Sequence, residues 1–177
     1  MTQTLRIALW LICCAALAAC MDGTPQSQSR VSPADIVANV VRVDTSAFTG
    51  IEGRNLDISA AQIASDIGRA LGRRMGSGGP SNANIDVRLG TVRLTSPASA
   101  FAFGGPSAIE AEVVVTDAST GAVLFGPEQV RGTSEFLRLP GVIGVATSPS
   151  PERDYDQTVQ GFAAAVTLAI RRPAPEV

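Results

Sequence analysis

The chain has 177 residues, with 14 basic and 16 acidic side chains, a formal net charge of −2 and no histidine. This length allows one domain with a hydrophobic core of its own. The absence of histidine excludes Ser-His-Asp and Cys-His nucleophilic sites, histidine zinc sites and imidazole acid–base chemistry. The small negative charge argues against a nucleic-acid-binding protein, in which a basic surface is expected.

The first 20 residues have the pattern of an export signal. One basic residue, Arg6, precedes an apolar run from Ile7 to Ala19, which is shorter than the roughly 20 residues that span a bilayer. The run ends in Leu17-Ala18-Ala19-Cys20, which resembles a bacterial lipobox. The resemblance implies cleavage before Cys20 and attachment of a diacylglycerol and a further acyl chain, such as palmitate, to that residue. The alternative is an ordinary signal peptide followed by a cysteine that has no role.

The chain is therefore predicted to have four parts: a lipoprotein signal peptide (1–19), a lipidated cysteine with a flexible tether (20–33), a single α+β domain (34–172) and a C-terminal tail (173–177). The polar tether has a root-mean-square reach of roughly 20 Å. Met21 stands where an aspartate would favour retention in the inner membrane. The resemblance thus implies an outer-membrane anchor facing the periplasm, with inner-membrane anchoring as the alternative.

The first half of the domain is predicted to contain a strand, a loop and a helix. Ile36–Val43 is rich in valine, which favours a strand, and Asp44–Arg54 carries two glycines and is interpreted as a loop. A capping box from Ser59 to Gln62 and apolar residues at spacings of three and four predict a helix over 59–75.

Three further strands are predicted. Alternation from Asn84 to Thr95 slips by one residue at Gly90-Thr91, which indicates a β-bulge. After a loop over 96–107, strands at Ile109–Val115 and Ala122–Val130 form a hairpin around the turn Asp117–Gly121. Pro127 in the returning strand is expected at a sheet edge or a bulge.

After an irregular apolar segment over 132–149, a last helix is predicted to begin at Ser150, with Pro151 in its first turn. Its apolar stripe consists of Tyr155, Val159, Phe162, Val166 and Ile170. The order β-α-β-β-β-α predicts an α+β two-layer sandwich, with a mainly antiparallel sheet of about four strands and two amphipathic helices. The position of the first strand in the sheet stays open.

The lipobox, the polar tether, the valine-rich strand and the Asp117–Gly121 hairpin together resemble alphaproteobacterial envelope lipoproteins of unknown function. The architecture also resembles lipoprotein domains of curli-export and ABC-transport auxiliary proteins. This resemblance implies a non-catalytic accessory role in outer-membrane assembly, secretion or transport. The expected partners are the membrane, through Cys20, and envelope proteins, with no nucleic acid, cofactor or metal.

The irregular segment is the candidate contact site of the domain. It either covers the open end of the sheet and completes the core, or it contacts a partner or ligand. The alternative function is a carrier that holds a lipid or other apolar ligand in the α+β domain. Phe101 and Phe103, in another loop, are expected in the core, with contact to a partner or ligand as the alternative. The candidate contact residues of the irregular segment are Phe136, Leu137, Leu139, Val142 and Ile143.

Two charged groups have ordinary interpretations. Glu152, Asp154 and Asp156 are acids near a helix start, where they complement the helix dipole; a calcium site is the alternative. Arg69, Arg73 and Arg74 are expected on a solvated helix face, with contact to an anionic lipid or protein surface as the alternative. No serine has a histidine or lysine as a base, and a carboxylate-pair glycosidase stays as a minor alternative. The protein is predicted not to be an enzyme.

Overall fold

The computed structural model describes residues 35–76, 79–135 and 140–172. The signal peptide, Cys20, the tether and the C-terminal tail lie outside the described residues, as do Phe136, Leu137 and Leu139. The elements, in chain order, are β1 (Ala38–Asp44), β2 (Ile51–Glu52), α1 (Ala60–Met75), β3 (Ala83–Arg93), α2 (Pro97–Ala102), β4 (Ala108–Asp117), β5 (Val123–Thr133), α3 (Val142–Ala146) and α4 (Pro151–Arg171).

The five strands form one open sheet in the order β1-β3-β4-β5, and the short β2 also pairs with β3. The long β3–β4 and β4–β5 ladders are antiparallel, whereas β1 and β2 pair with β3 in parallel. The α+β class is thus confirmed. The parallel β1–β3 pair follows from their connection, because α1 carries the chain back between them. This places the first strand at an edge of the sheet.

The helices α1 and α4 cover one face of the sheet. The α4 stripe of Tyr155, Val159, Phe162, Val166 and Ile170 is buried as predicted. Ser59 caps α1 by accepting a hydrogen bond from the Gln62 N–H at 3.1 Å. The Gln62 amide binds Asp66 instead of the cap backbone, so only half of the predicted capping box forms.

The other face of the sheet is open and carries charged side chains in cross-strand register. Exposed ion pairs of this kind contribute little to stability, but they make the face polar and leave the core on the helix side. The pairs, at 3.5 to 3.9 Å, are Arg42–Asp86, Arg88–Asp44, Arg88–Glu112 and Arg131–Glu110.

The predicted irregularities in the strands are also present. The β3–β4 register shifts between Leu89 and Thr91, which confirms the bulge at Gly90. Pro127 lies in the edge strand β5, where the pairing with β4 is shifted after Val113. Proline has no N–H to donate to a regular ladder. It is tolerated at this position because the edge strand and its shifted pairing do not require that hydrogen bond.

Three segments interpreted as loops contain short elements. The segment 44–54 includes β2, 96–107 includes α2, and 132–149 includes α3. Elements of two to six residues are too short to show a periodic pattern of their own. They form because neighbouring segments satisfy their backbone groups, as when the Leu94 N–H donates to the Glu52 C=O at 2.9 Å.

The two ends of the sheet differ in what they hold. At one end, Asn82 ties the start of the described chain to the hairpin turn: its side chain bonds the Val37 N–H and the Asp35 C=O, and its C=O accepts from Ala118. We call this the tether end. The opposite end, where β3 leads into α2 and β5 leads toward α3, is called the patch end.

Candidate interaction surface

Two short helices pack together at the patch end. Ser96 caps α2 by accepting from the Ser99 N–H at 3.1 Å, and Pro97 occupies the first turn. The Gly141 N–H, at the start of α3, donates to the Phe101 C=O at 2.8 Å. Two loops that are 40 residues apart in the sequence thereby form one surface.

This surface leaves large apolar side chains in water. Five of the eight exposed large apolar residues among those the structure describes lie on or beside these two helices. A cluster of this kind marks a contact surface more often than isolated exposed residues do. We call it the α2–α3 patch. Its members and exposed fractions are Phe101 55%, Phe103 85%, Val142 74%, Ile143 66% and Val145 37%.

The expectation that Phe101 and Phe103 belong to the core is wrong. Helix α2 has six residues and buries only Ala100, and Phe103 lies just beyond its last residue, so the helix does not turn both phenylalanines inward. Val142 and Ile143 are likewise exposed, and these two residues do not complete the core as the first interpretation of their segment required. Sequence reasoning considered the two loops separately and missed their contact, because no local pattern links them.

A cleft of about 520 Å³ opens beside the patch on the charged face of the sheet. Phe103 contributes to both the cleft and the patch. Arg93 and Arg131 enter the cleft from β3 and β5, and Glu52 lies next to Arg93 because β2 pairs with β3 at that position. The cleft offers charged groups of both signs beside an aromatic ring.

Under the patch end, a polar cluster is buried between the sheet and the start of α4. Asp154 has no exposed surface, and its carboxylate accepts from the Ser107 hydroxyl at 2.7 Å and faces Arg54 at 3.8 Å. The Ser107 hydroxyl in turn accepts from the Thr95 N–H. The sequence grouped Asp154 with Glu152 and Asp156 as a dipole complement; its main role here is to fix α4 to the sheet.

The other acids have more local roles. The pKa of Glu152 is lowered by its own backbone N–H, by the Ser150 hydroxyl and by Arg54, as expected at a helix start. The pKa of Asp117 is held well below its usual range by the hydroxyl and N–H of Ser119 and the N–H of Thr120. Both groups stabilise local backbone structure.

The described residues contain no group of three or more His, Cys, Asp or Glu side chains arranged to hold a metal ion. Ser107, bonded to a buried carboxylate, has no exposed surface itself, so a substrate cannot reach its hydroxyl. Within the same described ranges, no helix combines the length and apolar composition needed to cross a bilayer.

In the groove between α1 and α4, the Tyr155 hydroxyl donates to Asp66 at 3.1 Å, and Arg69 pairs with the same carboxylate at 2.9 Å. Burial raises the pKa of Tyr155, and the neighbouring Asp66 charge raises it further. Arg69 therefore has a role within the domain, while Arg73 and Arg74 are exposed at the end of α1.

Comparisons with known proteins find few similar chains. No family model and no curated protein matches the sequence. Among solved structures, one similar chain is described as a "putative lipoprotein" from Caulobacter crescentus CB15; it is 14% identical, with 74% of this chain and 87% of that chain covered and a TM-score of 0.37.

Proposed function

We propose that the protein is a lipid-anchored, non-catalytic envelope protein whose α2–α3 patch binds a partner protein of an outer-membrane assembly, secretion or transport system. The lipobox at Leu17–Cys20 and the polar tether support the anchor. The single observation that carries the binding role is the exposed apolar cluster at the patch end.

The position of the patch suits a protein partner. Strand β3 has 11 residues, so the two ends of the sheet are separated by roughly 33 Å. The tether reaches the domain at the tether end, beside Asp35, while Phe103 and Ile143 lie at the other. A partner in the periplasm can therefore reach the patch without displacing the anchor.

The same observation weighs against the carrier as the first candidate. The apolar side chains between the sheet and the helices, such as Ile67, Leu89 and Phe162, have no exposed surface. The apolar groups that are accessible at the patch end face outward. A carrier requires the reverse, an apolar lining that surrounds its ligand.

Site-specific photocrosslinking in intact membranes tests the binding role. A photoreactive phenylalanine analogue at position 103 should form an adduct with an envelope protein. The matched control carries the analogue at Val123, which is 59% exposed at the start of β5, and should give none. Recovery of only the uncrosslinked monomer at both positions would overturn the proposal, and an adduct between position 103 and a lipid would replace it with the carrier.

The anchor has its own test. Cys20→Ala should abolish labelling with a radioactive or clickable palmitate and release the protein from the membrane fraction. A variant that stays membrane-bound with unchanged lipid labelling would show that the lipobox interpretation is wrong.

A further inference from the structure

Both long helices run toward the tether end of the sheet. Gly79, shortly after α1, packs beside the Val37 side chain at the tether end. Helix α4 begins next to Ser107 at the patch end and passes Thr133 at Gly161. Tyr155 in α4 bonds Asp66 in α1, and Arg73, further along α1, lines a groove with Gln160, further along α4. The contacting positions advance together along both helices, so the helices lie side by side in the same direction. Their last turns therefore point to the end at which the tether enters.

These last turns carry four exposed arginines: Arg73 and Arg74 on α1, and Arg171 and Arg172 at the end of α4. Leu168 is 70% exposed and lies three and four residues before the α4 arginines, so the three side chains share one helical face.

Arg73 also lines the groove between the two helices together with Asp66 and Asp156, whereas Asp35 and Asp117 lie at the tether end itself. Asp35 is exposed, whereas Asp117 is buried and its carboxylate is bonded within its own turn. Basic residues near a helix end complement the helix dipole, and this accounts for each pair separately. It does not account for both pairs lying at the end of the sheet where the described chain begins, at Asp35.

We infer that this basic end binds the anionic phospholipid head groups of the bilayer that holds the Cys20 anchor. The inference rests on the proposed lipid anchor. Each basic residue near an anionic surface strengthens binding roughly fivefold, and a tether with a reach of roughly 20 Å keeps the domain close enough for contact. Leu168 enters the head-group region beside the arginines, and the α2–α3 patch is then directed away from the membrane toward protein partners.

Fluorescence quenching measures this orientation. The lipidated protein is reconstituted into phosphatidylcholine vesicles with or without phosphatidylglycerol, together with a head-group-labelled quencher lipid. Because Cys20 is the only cysteine after the signal, a fluorophore can be placed at Ala118→Cys at the tether end or at Ala146→Cys on α3, both exposed. With phosphatidylglycerol, the label at 118 should be quenched at least about twofold more than the label at 146, and 0.5 M salt should remove about half of that difference, since salt screens exposed charges.

Two charge-matched variants decide whether the arginines are responsible. Replacing Arg73, Arg74, Arg171 and Arg172 with glutamine should abolish the quenching difference. Replacing Arg42, Arg88, Arg93 and Arg131 on the open sheet face with glutamine removes the same charge and should preserve it. Equal quenching at both labels in the wild type, or equal effects of both variants, would overturn the inference. Intact mass of the purified protein reports lipid on Cys20 separately, so failure of the anchor is distinguished from failure of the contact.

Discussion

The patch end of the domain contains two regions that differ in how tightly they are packed. Where α4 crosses β5, Gly132 and Gly161 bring the two backbones so close that a Cβ at either position would overlap the other element. At the same end of the sheet, the side chains of Phe103 and Val142 are more than 70% exposed. The first region has no room for an added methyl group, whereas the second leaves large apolar side chains in contact with water.

Because of this difference, we expect different residues to determine the stability of the domain and its proposed binding. Substitutions at the α4–β5 contact and in the Asp154 cluster should destabilise the domain, because buried groups there lose partners or overlap. Substitutions in the α2–α3 patch should leave folding unchanged, because few of their atoms contact the core. Three of the following predictions test this separation and one, at Asp117, tests a local turn at the tether end; they are given in order of decreasing effect on stability.

Asp154→Ala should cause the largest loss. It leaves the largely buried Arg54 and the buried Ser107 without their shared carboxylate, and breaking a buried charge pair costs about 3–5 kcal/mol in the free energy of unfolding. Urea denaturation measures the effect. The matched control is Asp156→Ala, an exposed acid two residues away, which should change stability by no more than about 0.5 kcal/mol. Similar losses for both variants would contradict the role of the buried cluster.

Gly161→Ala should destabilise the domain by about 1–3 kcal/mol, because the new methyl group overlaps the Thr133 carbonyl and forces α4 away from β5. The matched control is Gly68→Ala in the middle of α1, where the new methyl group meets nothing within 4 Å. Since alanine is the better helix former, this control should stabilise by up to about 1 kcal/mol. Thermal and urea unfolding of the two variants should therefore shift in opposite directions. A shift in the same direction would show that the α4–β5 contact is looser than described.

Asp117→Asn should have a smaller effect that depends on pH. The pKa of Asp117 is lowered by the Ser119 and Thr120 donors, so its ionised form stabilises the fold above the ordinary carboxyl range of about 4. That stabilisation is lost as the pH falls. The variant should be less stable than the wild type near neutral pH, and the difference should shrink progressively as the pH falls below about 4. A difference that stays constant over this range would show that the charge of Asp117 is not responsible.

Phe103→Ser and Ile143→Ser should have the smallest effect on stability, within about 0.5 kcal/mol of the wild type, because 85% and 66% of these residues are exposed. The same variants should lose the partner adducts seen in membranes when the photoreactive group is placed at Phe101. A loss of several kcal/mol would show that the patch belongs to the core, and unchanged adducts in stable variants would show that it is not the contact surface.

The long periodic elements could be predicted from the sequence because their signals are local. The α1 and α4 stripes, the Ser59 and Ser150 caps, the bulge at Gly90 and the Asp117 turn each depend on residues within a few positions of one another. The same holds for the lipobox resemblance at Cys20, which stays a prediction because that residue lies outside the described part of the chain.

Long-range contacts decided the rest. The parallel pairing of β1, the burial of Asp154 beside Ser107, and the joining of Phe101 to Gly141 all bring together residues at least 40 positions apart. Hydrophobicity alone placed Phe103 in the core, since an apolar residue carries no mark of the space available to it. Local composition determined which segments form helices and strands and how the chain is divided. Only the tertiary structure, by limiting which side chains fit between the sheet and its helices, decided which apolar residues remain exposed at the surface.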